Sequence, residues 1–140
     1  MNDRFFLDTN IFVYSFDSRA PQKAKRARQL IRRALETRKG IISYQVVQEF
    51  FNVALRRFAQ PMTTADAEQY LATVFRALWA VHSSQALYGD ALRLSGRYAL
   101  SWFDSLIVAA ALQGECAVLY SEDLQHRQRF GDLRVENPFL

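Results

Sequence analysis

The chain of 140 residues is 50% hydrophobic and carries 18 lysines and arginines against 14 acids, a formal net charge of +4. This composition predicts one globular domain over residues 1–140 whose core needs no disulfide, since Cys116 has no partner cysteine. The charged amino terminus excludes a secretory signal, and no apolar stretch approaches the roughly 20 residues of a membrane span, so we expect a soluble cytoplasmic protein.

Strand and helix patterns alternate along the chain. Short apolar runs predict β-strands at Phe5–Leu7, Ile41–Ile42, Ala80–His82, Ala117–Tyr120 and Leu133–Val135. Amphipathic or apolar segments predict helices at Ile11–Phe16, Ala20–Arg38, Ser43–Phe58, Thr64–Trp79, Ser84–Tyr98 and Asp104–Gln113. This alternation favours an α/β fold with a short, mostly parallel central sheet and helices on both faces. The carboxyl ends of the strands then lie along one edge, where open sheets of this kind bind ligands.

Four acidic residues occupy positions that such a sheet would bring to one edge. Asp8 follows the first strand, and Asp123 follows the strand that ends at Tyr120. Asp104 opens an apolar helix, and Glu49 lies on the apolar stripe of the helix after the second strand. A carboxylate on such a stripe is costly to bury without a partner. These four acids are therefore the candidate catalytic residues.

Each acid also has a purely structural explanation. Asp8 could begin a turn, and Asp123 could occupy the first turn of a helix over Ser121–Gln128. The segment Ser101–Asp104 matches the S-x-x-D capping box, a pattern that recurs at Thr63–Asp66. The convergence of all four acids favours a site, because close carboxylates stay ionised together at neutral pH only beside a cation. Ligand sets made of oxygen atoms favour Mg²⁺ or Mn²⁺ over zinc.

Basic residues concentrate between Gln22 and Lys39. The eight are Lys23, Lys25, Arg26, Arg28, Arg32, Arg33, Arg38 and Lys39. The apolar residues between them keep helical spacing, so the basic side chains form a solvated helix face, a contact surface for a polyanion such as nucleic acid, or both.

These motifs resemble the PIN-domain ribonucleases and, more narrowly, the VapC-type toxins of prokaryotic toxin–antitoxin pairs. The resemblance covers nearly the whole chain, from Phe5 through Val135. The segments that carry it are, in order, Asp8–Asn10, Glu49 within a helix, Phe103–Ile107 and Ser121–Leu124.

The resemblance implies a Mg²⁺- or Mn²⁺-dependent endoribonuclease that cleaves structured RNA, such as tRNA or rRNA, through a metal-activated water. The implied catalytic and metal-binding acids are Asp8, Glu49, Asp104 and Asp123. Of these, Asp8 and Asp104 are the expected direct ligands of the metal. Supporting roles fall to Thr9, Asn10, Ser121 and Glu122. The family often has one acid where this chain has Glu122 and Asp123, so either could face the metal, although Asp123 aligns better. Candidate RNA-binding cations are Lys23, Lys25, Arg26, Arg33, Arg127 and Arg129.

The resemblance also implies two protein partners: a small antitoxin whose extended tail covers the active-site groove, and a second copy of the chain in a homodimer. Two alternatives remain open. A haloacid-dehalogenase-like phosphatase would use Asp8 as its nucleophile, but that chemistry needs a second acid where this chain has Asn10. A non-catalytic basic module for RNA binding or scaffolding would use the acids only as helix caps and turn formers.

Overall fold

Six short strands form one mixed sheet in the computed structural model, which describes residues 2–140. The strands are β1 (Phe5–Leu7), β2 (Gly40–Ser43), β3 (Trp79–Val81), β4 (Val118–Tyr120), β5 (Arg129–Phe130) and β6 (Leu133–Glu136). Their order across the sheet is β3-β2-β1-β4-β6-β5. Neighbouring strands are parallel except for β5, which is antiparallel to β6. The prediction of an α/β fold with a mostly parallel sheet is confirmed.

The described residues also form α-helices that connect the strands. They are α1 (Thr9–Tyr14), α2 (Pro21–Thr37), α3 (Tyr44–Ala54), α4 (Thr64–Tyr70), α5 (Arg76–Leu78), α6 (Gln85–Tyr98) and α7 (Trp102–Gln113). A π-helical segment, Leu71–Phe75, joins α4 to α5. Within residues 2–140 none of the helices is both long enough and apolar enough to cross a membrane.

The core is densest around β1 and α7. All three residues of β1 are buried, and this strand pairs with β2 on one side and β4 on the other. Helix α7 buries every residue from Ser105 to Ala111, as expected for a helix that is apolar on all sides. Asp8 therefore directly follows a fully buried strand, and Asp104 lies at the start of the most buried helix.

Several predicted boundaries differ from the structure. Helix α3 ends at Ala54 rather than Phe58, because the chain turns there and the backbone N–H of Met62 donates to the Ala54 carbonyl. Helix α2 ends at Thr37 rather than Arg38, because Arg38 adopts the left-handed conformation and caps the helix, and Gly40 already begins β2. The helix predicted over Thr64–Trp79 is interrupted by the π-helical segment, which rotates the apolar stripe of an α-helix and leaves Leu71 38% exposed.

The segment after β4 also differs. The helix considered over Ser121–Gln128 does not form, and these residues follow bends and turns that lead into β5. Strand β5 was not predicted, since two residues carry too little periodicity to indicate a strand. An explanation of Asp123 as a residue in the first turn of a helix is therefore wrong.

Candidate active site

Asp8 is fixed between two neighbouring strands at the carboxyl end of β1. Its backbone N–H donates to the carbonyl of Tyr120, the last residue of β4, at 3.0 Å. Its carboxylate accepts one hydrogen bond from the backbone N–H of Thr9 and one from the hydroxyl of Ser121, both at 2.7 Å. Asp8 is only 5% exposed. It caps α1 rather than a turn, and one oxygen of its carboxylate is also bonded to Ser121 in the chain that follows β4.

The pKa of Asp8 reflects its burial, its hydrogen bonds and the charges of nearby acids. Burial raises this pKa from its ordinary value of 3.8 to about 7. The hydrogen bonds from Ser121 and Thr9 act in the opposite direction, whereas the charges of Asp123 and Glu49 raise the pKa further. Asp8 therefore lies near two other acids that come from different elements of the fold.

Glu49 is held by donors from two elements. The hydroxyl of Thr9 donates to one of its carboxylate oxygens at 2.6 Å, and Nε2 of Gln45 lies 3.2 Å from the other. The same Gln45 nitrogen lies 3.1 Å from the carbonyl oxygen of Phe103 in α7. Since both neighbours are acceptors, the amide nitrogen must face them, and the buried Oε1 of Gln45 has no hydrogen-bond partner among residues 2–140.

Asp104 combines a capping position with a free carboxylate. The hydroxyl of Ser101 accepts a hydrogen bond from the backbone N–H of Asp104 at 3.2 Å, which confirms the predicted cap. In the described part of the chain, the Asp104 carboxylate makes no hydrogen bond back to the cap. The Asp104 carboxylate instead acts on Asp123. Partial burial raises the pKa of Asp123, and the negative charge of Asp104 raises this pKa further.

Glu122 and Asp123 point to different environments. The phenol of Tyr14 donates to Glu122 at 2.6 Å, and Nζ of Lys23 lies 2.7 Å from its other oxygen. Burial acts to raise the pKa of Glu122, but the bonds from Lys23 and Tyr14 outweigh it and lower the pKa. Asp123, which is only partly buried, instead lies near Asp104, whose charge raises its pKa, and near Asp8, whose pKa it raises. The geometry therefore favours Asp123 as the acid that belongs with the others.

Asn10 places an amide beside these acids. Both polar atoms of its side chain are buried and lack a hydrogen-bond partner within residues 2–140. Its amide nevertheless lies near enough to Asp123 to lower the pKa of that carboxyl, without a hydrogen bond of good geometry. A buried amide without a partner is costly unless water or a ligand satisfies it.

The donor set fits a hydrated divalent cation. No three His, Cys, Asp or Glu side chains in residues 2–140 are placed so that they could together hold a metal ion. Mg²⁺ does not require such a triad, because it keeps several waters and binds through one or two carboxylates. Close carboxylates, the raised pKa of Asp8 and the unpartnered amide of Asn10 agree with an ion that binds partly through water.

The candidate RNA-binding cations fall into two groups. Three of them are held by contacts within the fold: Lys23 pairs with Glu122, Arg26 donates to the Pro138 carbonyl, and Arg33 donates to the Tyr120 hydroxyl. The other three, Lys25, Arg127 and Arg129, are exposed, as Arg33 also is. The predicted basic surface is thus partly used by the fold itself.

Sequence reasoning missed Gln45 and Tyr14. Gln45 precedes Glu49 by one helical turn, so the i, i+4 spacing was a usable signal for an amide beside that acid. Nothing in the sequence relates Tyr14 to Glu122, which lies 108 positions later.

Comparisons with known proteins agree with this architecture. A family model described as PIN domain matches residues 5–130. No match was found among curated proteins. The fold is similar to that of a toxin–antitoxin complex from Klebsiella pneumoniae, with 21% identity over 95% of this chain and 96% of that chain and a TM-score of 0.66.

Two further solved structures share the fold. FitAcB from Neisseria gonorrhoeae is 18% identical over 96% of this chain and 98% of that chain, with a TM-score of 0.64. VapC20 from Mycobacterium tuberculosis, described as a toxin that cleaves the sarcin-ricin loop, is 21% identical over 85% of this chain and 89% of that chain, with a TM-score of 0.57. At these identities the likeness shows a common fold.

Proposed function

Because the chain belongs to the PIN-domain family, we propose that it is a divalent-metal-dependent endoribonuclease and the toxin of a prokaryotic toxin–antitoxin pair. The observation that carries this proposal is that acids from four separate elements lie close enough for their charges to act on Asp8 and Asp123. Asp123 and Glu49 raise the pKa of Asp8, and Asp104 raises that of Asp123. Like charges placed close together do not stabilise the folded state, so a bound cation is the simplest explanation for the placement of these acids.

Asp8 and Asp104 are proposed as direct ligands of Mg²⁺ or Mn²⁺, with Glu49 and Asp123 completing the site or orienting water. When bound, such an ion supplies a Lewis acid for a phosphate oxygen and a water of lowered pKa as the nucleophile. The protein itself orients the side chains that would bind the ion. Ser121 and the backbone of Thr9 hold the Asp8 carboxylate in one orientation, so little rearrangement accompanies binding.

Glu49 is oriented from both sides. The Thr9 hydroxyl fixes one oxygen and the Gln45 amide the other, so both oxygens are held by donors. A carboxylate that is held in this way can accept a proton from water or fix a water at a defined position. The unpartnered amide of Asn10 offers one more donor and acceptor for a water or phosphate oxygen next to Asp123.

The proposed substrate is structured RNA, such as tRNA or rRNA. The formal net charge of +4 favours a polyanionic partner once the acids are offset by a cation. VapC20, one of the structures with this fold, is described as cleaving the sarcin-ricin loop, which supports an RNA substrate.

The proposal includes two protein partners and a compartment. A small antitoxin that covers the candidate active site is supported by the likeness to a toxin–antitoxin complex from Klebsiella pneumoniae. We also propose a homodimer and a cytoplasmic location in a prokaryotic cell, with residues 1–140 as a single domain. Light scattering of the purified protein tests the dimer, and co-purification with the product of a neighbouring small reading frame tests the antitoxin.

RNA cleavage with and without metal tests the activity itself. Purified protein should cleave a structured RNA with Mg²⁺ or Mn²⁺ present, stop in excess EDTA, and resume when the ion is restored. The Asp8→Asn variant should be inactive under all three conditions while keeping its circular dichroism spectrum. Cleavage that continues unchanged in EDTA would contradict a metal-dependent nuclease, and full activity of Asp8→Asn would contradict the assigned site.

A further inference from the structure

A cavity of about 460 Å³ lies at the opposite ends of the strands from the acids. Asn2 and Asp3 precede β1, Lys39 precedes β2 and Ala117 precedes β4, and all four line this cavity. The acids, in contrast, follow the carboxyl ends of β1 and β4. The cavity is therefore separate from the candidate active site.

The lining of this cavity is cationic. Four basic side chains face two carboxylates, which leaves an excess of two positive charges; these residues are Arg33, Lys39, Arg129, Arg134, Asp3 and Asp132. Two of the cations are already paired, Lys39 with Asp3 at 2.7 Å and Arg134 with Glu136 at 2.8 Å. Within residues 2–140, Arg33 and Arg129 form no ion pair with any carboxylate. They are the two lining cations without an ion pair in this part of the chain. Asp132 is the lining carboxylate that likewise has none there, so these unpaired groups together carry one net positive charge.

Contacts with Phe5 and Tyr120 hold the guanidinium group of Arg33 in one orientation. The carbon of its guanidinium group lies 4.4 Å from the centre of the Phe5 ring, and one of its nitrogens donates to the Tyr120 hydroxyl at 3.0 Å. The two rings pack edge to face at 5.7 Å. Since the hydroxyl accepts from Arg33, its own hydrogen is free to donate to a ligand. A guanidinium that is already oriented loses less entropy when it binds.

We propose that this cavity binds the phosphate group of a nucleotide or of an RNA strand. Arg33 and Arg129 are the charged ligands, and the Tyr120 hydroxyl is a neutral donor. Guanidinium groups match phosphate oxygens in shape and charge. A volume of about 460 Å³ also lies within the range of small-ligand sites, so the cavity has room for a sugar attached to the phosphate. Where the phosphate belongs to an RNA substrate, the inference rests on the proposed function; a free nucleotide does not require it.

The test measures binding in EDTA, so that cleavage plays no part. Three probes are titrated: inorganic phosphate, adenosine monophosphate and a fluorescein-labelled single-stranded RNA. The double variant Arg33→Gln/Arg129→Gln removes the two lining cations that have no ion pair, and Arg32→Gln/Arg57→Gln removes two exposed charges that do not line the cavity. We expect the first pair to weaken binding roughly tenfold or more and the control pair to weaken it much less. For RNA, the slope of log K against log salt should fall by roughly 1.4.

The three probes separate the two sources of phosphate. Weakened binding of all three supports a site for a free phosphorylated ligand, and weakened binding of RNA alone supports contact with the RNA backbone. Binding that matches the control pair for every probe would overturn the inference.

Two exposed single substitutions keep the test valid if the loss of Arg33 disturbs folding. Arg129→Gln should weaken binding, whereas Asp132→Asn, which removes an opposing carboxylate from the same cavity, should tighten it. Equal affinities in these two variants would also overturn the inference. None of these outcomes depends on whether Asp8→Asn abolishes cleavage, so failure here and failure of the proposed function are distinguishable.

Discussion

The hydroxyl of Ser121 donates a 2.7 Å hydrogen bond to the carboxylate of Asp8, although the two residues lie 113 positions apart. The parallel register of β1 and β4, which pairs Leu7 with Tyr120, places the next residue of each strand side by side. Both side chains are buried there. The same contact that orients Asp8 thus also keeps it away from water, and the second effect dominates its pKa.

Replacing this acid by its neutral isostere should stabilise the metal-free protein at high pH. The folded-state pKa of Asp8 is about 7, against an ordinary value of 3.8. Stability from the protonated carboxyl is therefore fully present below pH 3.8 and is lost as the pH rises through about 7. Asp8→Asn should gain roughly 2–3 kcal/mol more in unfolding free energy at pH 8 than at pH 5. Urea titrations in EDTA at the two pH values measure this difference.

The control for this prediction is Asp66→Asn, which removes the same charge from an exposed position in α4. The difference between pH 5 and pH 8 should be much larger for Asp8→Asn than for this control, because Asp8 is the buried group whose pKa is raised. Added Mg²⁺ should stabilise the wild type at pH 8 and Asp8→Asn much less, since the carboxylate is a proposed ligand. An equal gain at pH 5 and pH 8 would argue against a raised pKa.

The position of the acids at one edge of the sheet could be predicted from the sequence, but most of the hydrogen bonds that hold them there could not. Alternating strands and helices were enough to place Asp8 and the segment after Tyr120 at one edge, because that follows from parallel topology. The partners of Glu122 could not be predicted, since Tyr14 and Lys23 meet it only through the packing of α1 and α2 against the chain after β4. Hydrogen bonds between distant side chains depend on register and rotamer, which composition and periodicity do not encode.

The two capping boxes provide a matched test of Asp104. Thr63 caps α4 through the backbone N–H of Asp66 at 3.1 Å, as Ser101 caps α7 through Asp104 at 3.2 Å. If Asp104 is only a capping residue, Asp104→Asn and Asp66→Asn should have similarly small effects. We expect Asp104→Asn to lower RNA cleavage by about 100-fold or more, and Asp66→Asn to leave it unchanged. Single-turnover cleavage rates and thermal midpoints, measured side by side, decide between the two.

Glu122 and Asp123 should differ sharply despite being adjacent. Glu122 is occupied by Tyr14 and Lys23, so Glu122→Gln should keep the cleavage rate within about threefold and shift the thermal midpoint only slightly. Asp123→Asn should lower the rate by about 100-fold, because its charge belongs to the group that includes Asp104. Cleavage assays at saturating Mg²⁺ measure both. The reverse ranking would assign Glu122 to the metal.

A variant of Gln45 can show whether this residue positions the Glu49 carboxylate or only packs α3 against α7. Its amide nitrogen joins Glu49 in α3 to the Phe103 carbonyl at the start of α7, one residue before Asp104. Gln45→Leu keeps a similar volume but removes this donor, so both acceptors lose a partner at a cost of about 1–3 kcal/mol in stability. We expect cleavage to fall by roughly 10- to 100-fold, the range for residues that orient a metal ligand.

The matched control for Gln45 is Gln48→Leu, an exposed change in the same helix, which should alter neither stability nor rate beyond about twofold. The decisive measurement is the Mg²⁺ concentration that gives half-maximal activity, determined well below the melting temperature of every variant. A positioning role predicts that this concentration rises in Gln45→Leu, because Glu49 then samples orientations that do not favour the ion. If the variant melts earlier but needs no more Mg²⁺ than the wild type, Gln45 only joins the two helices.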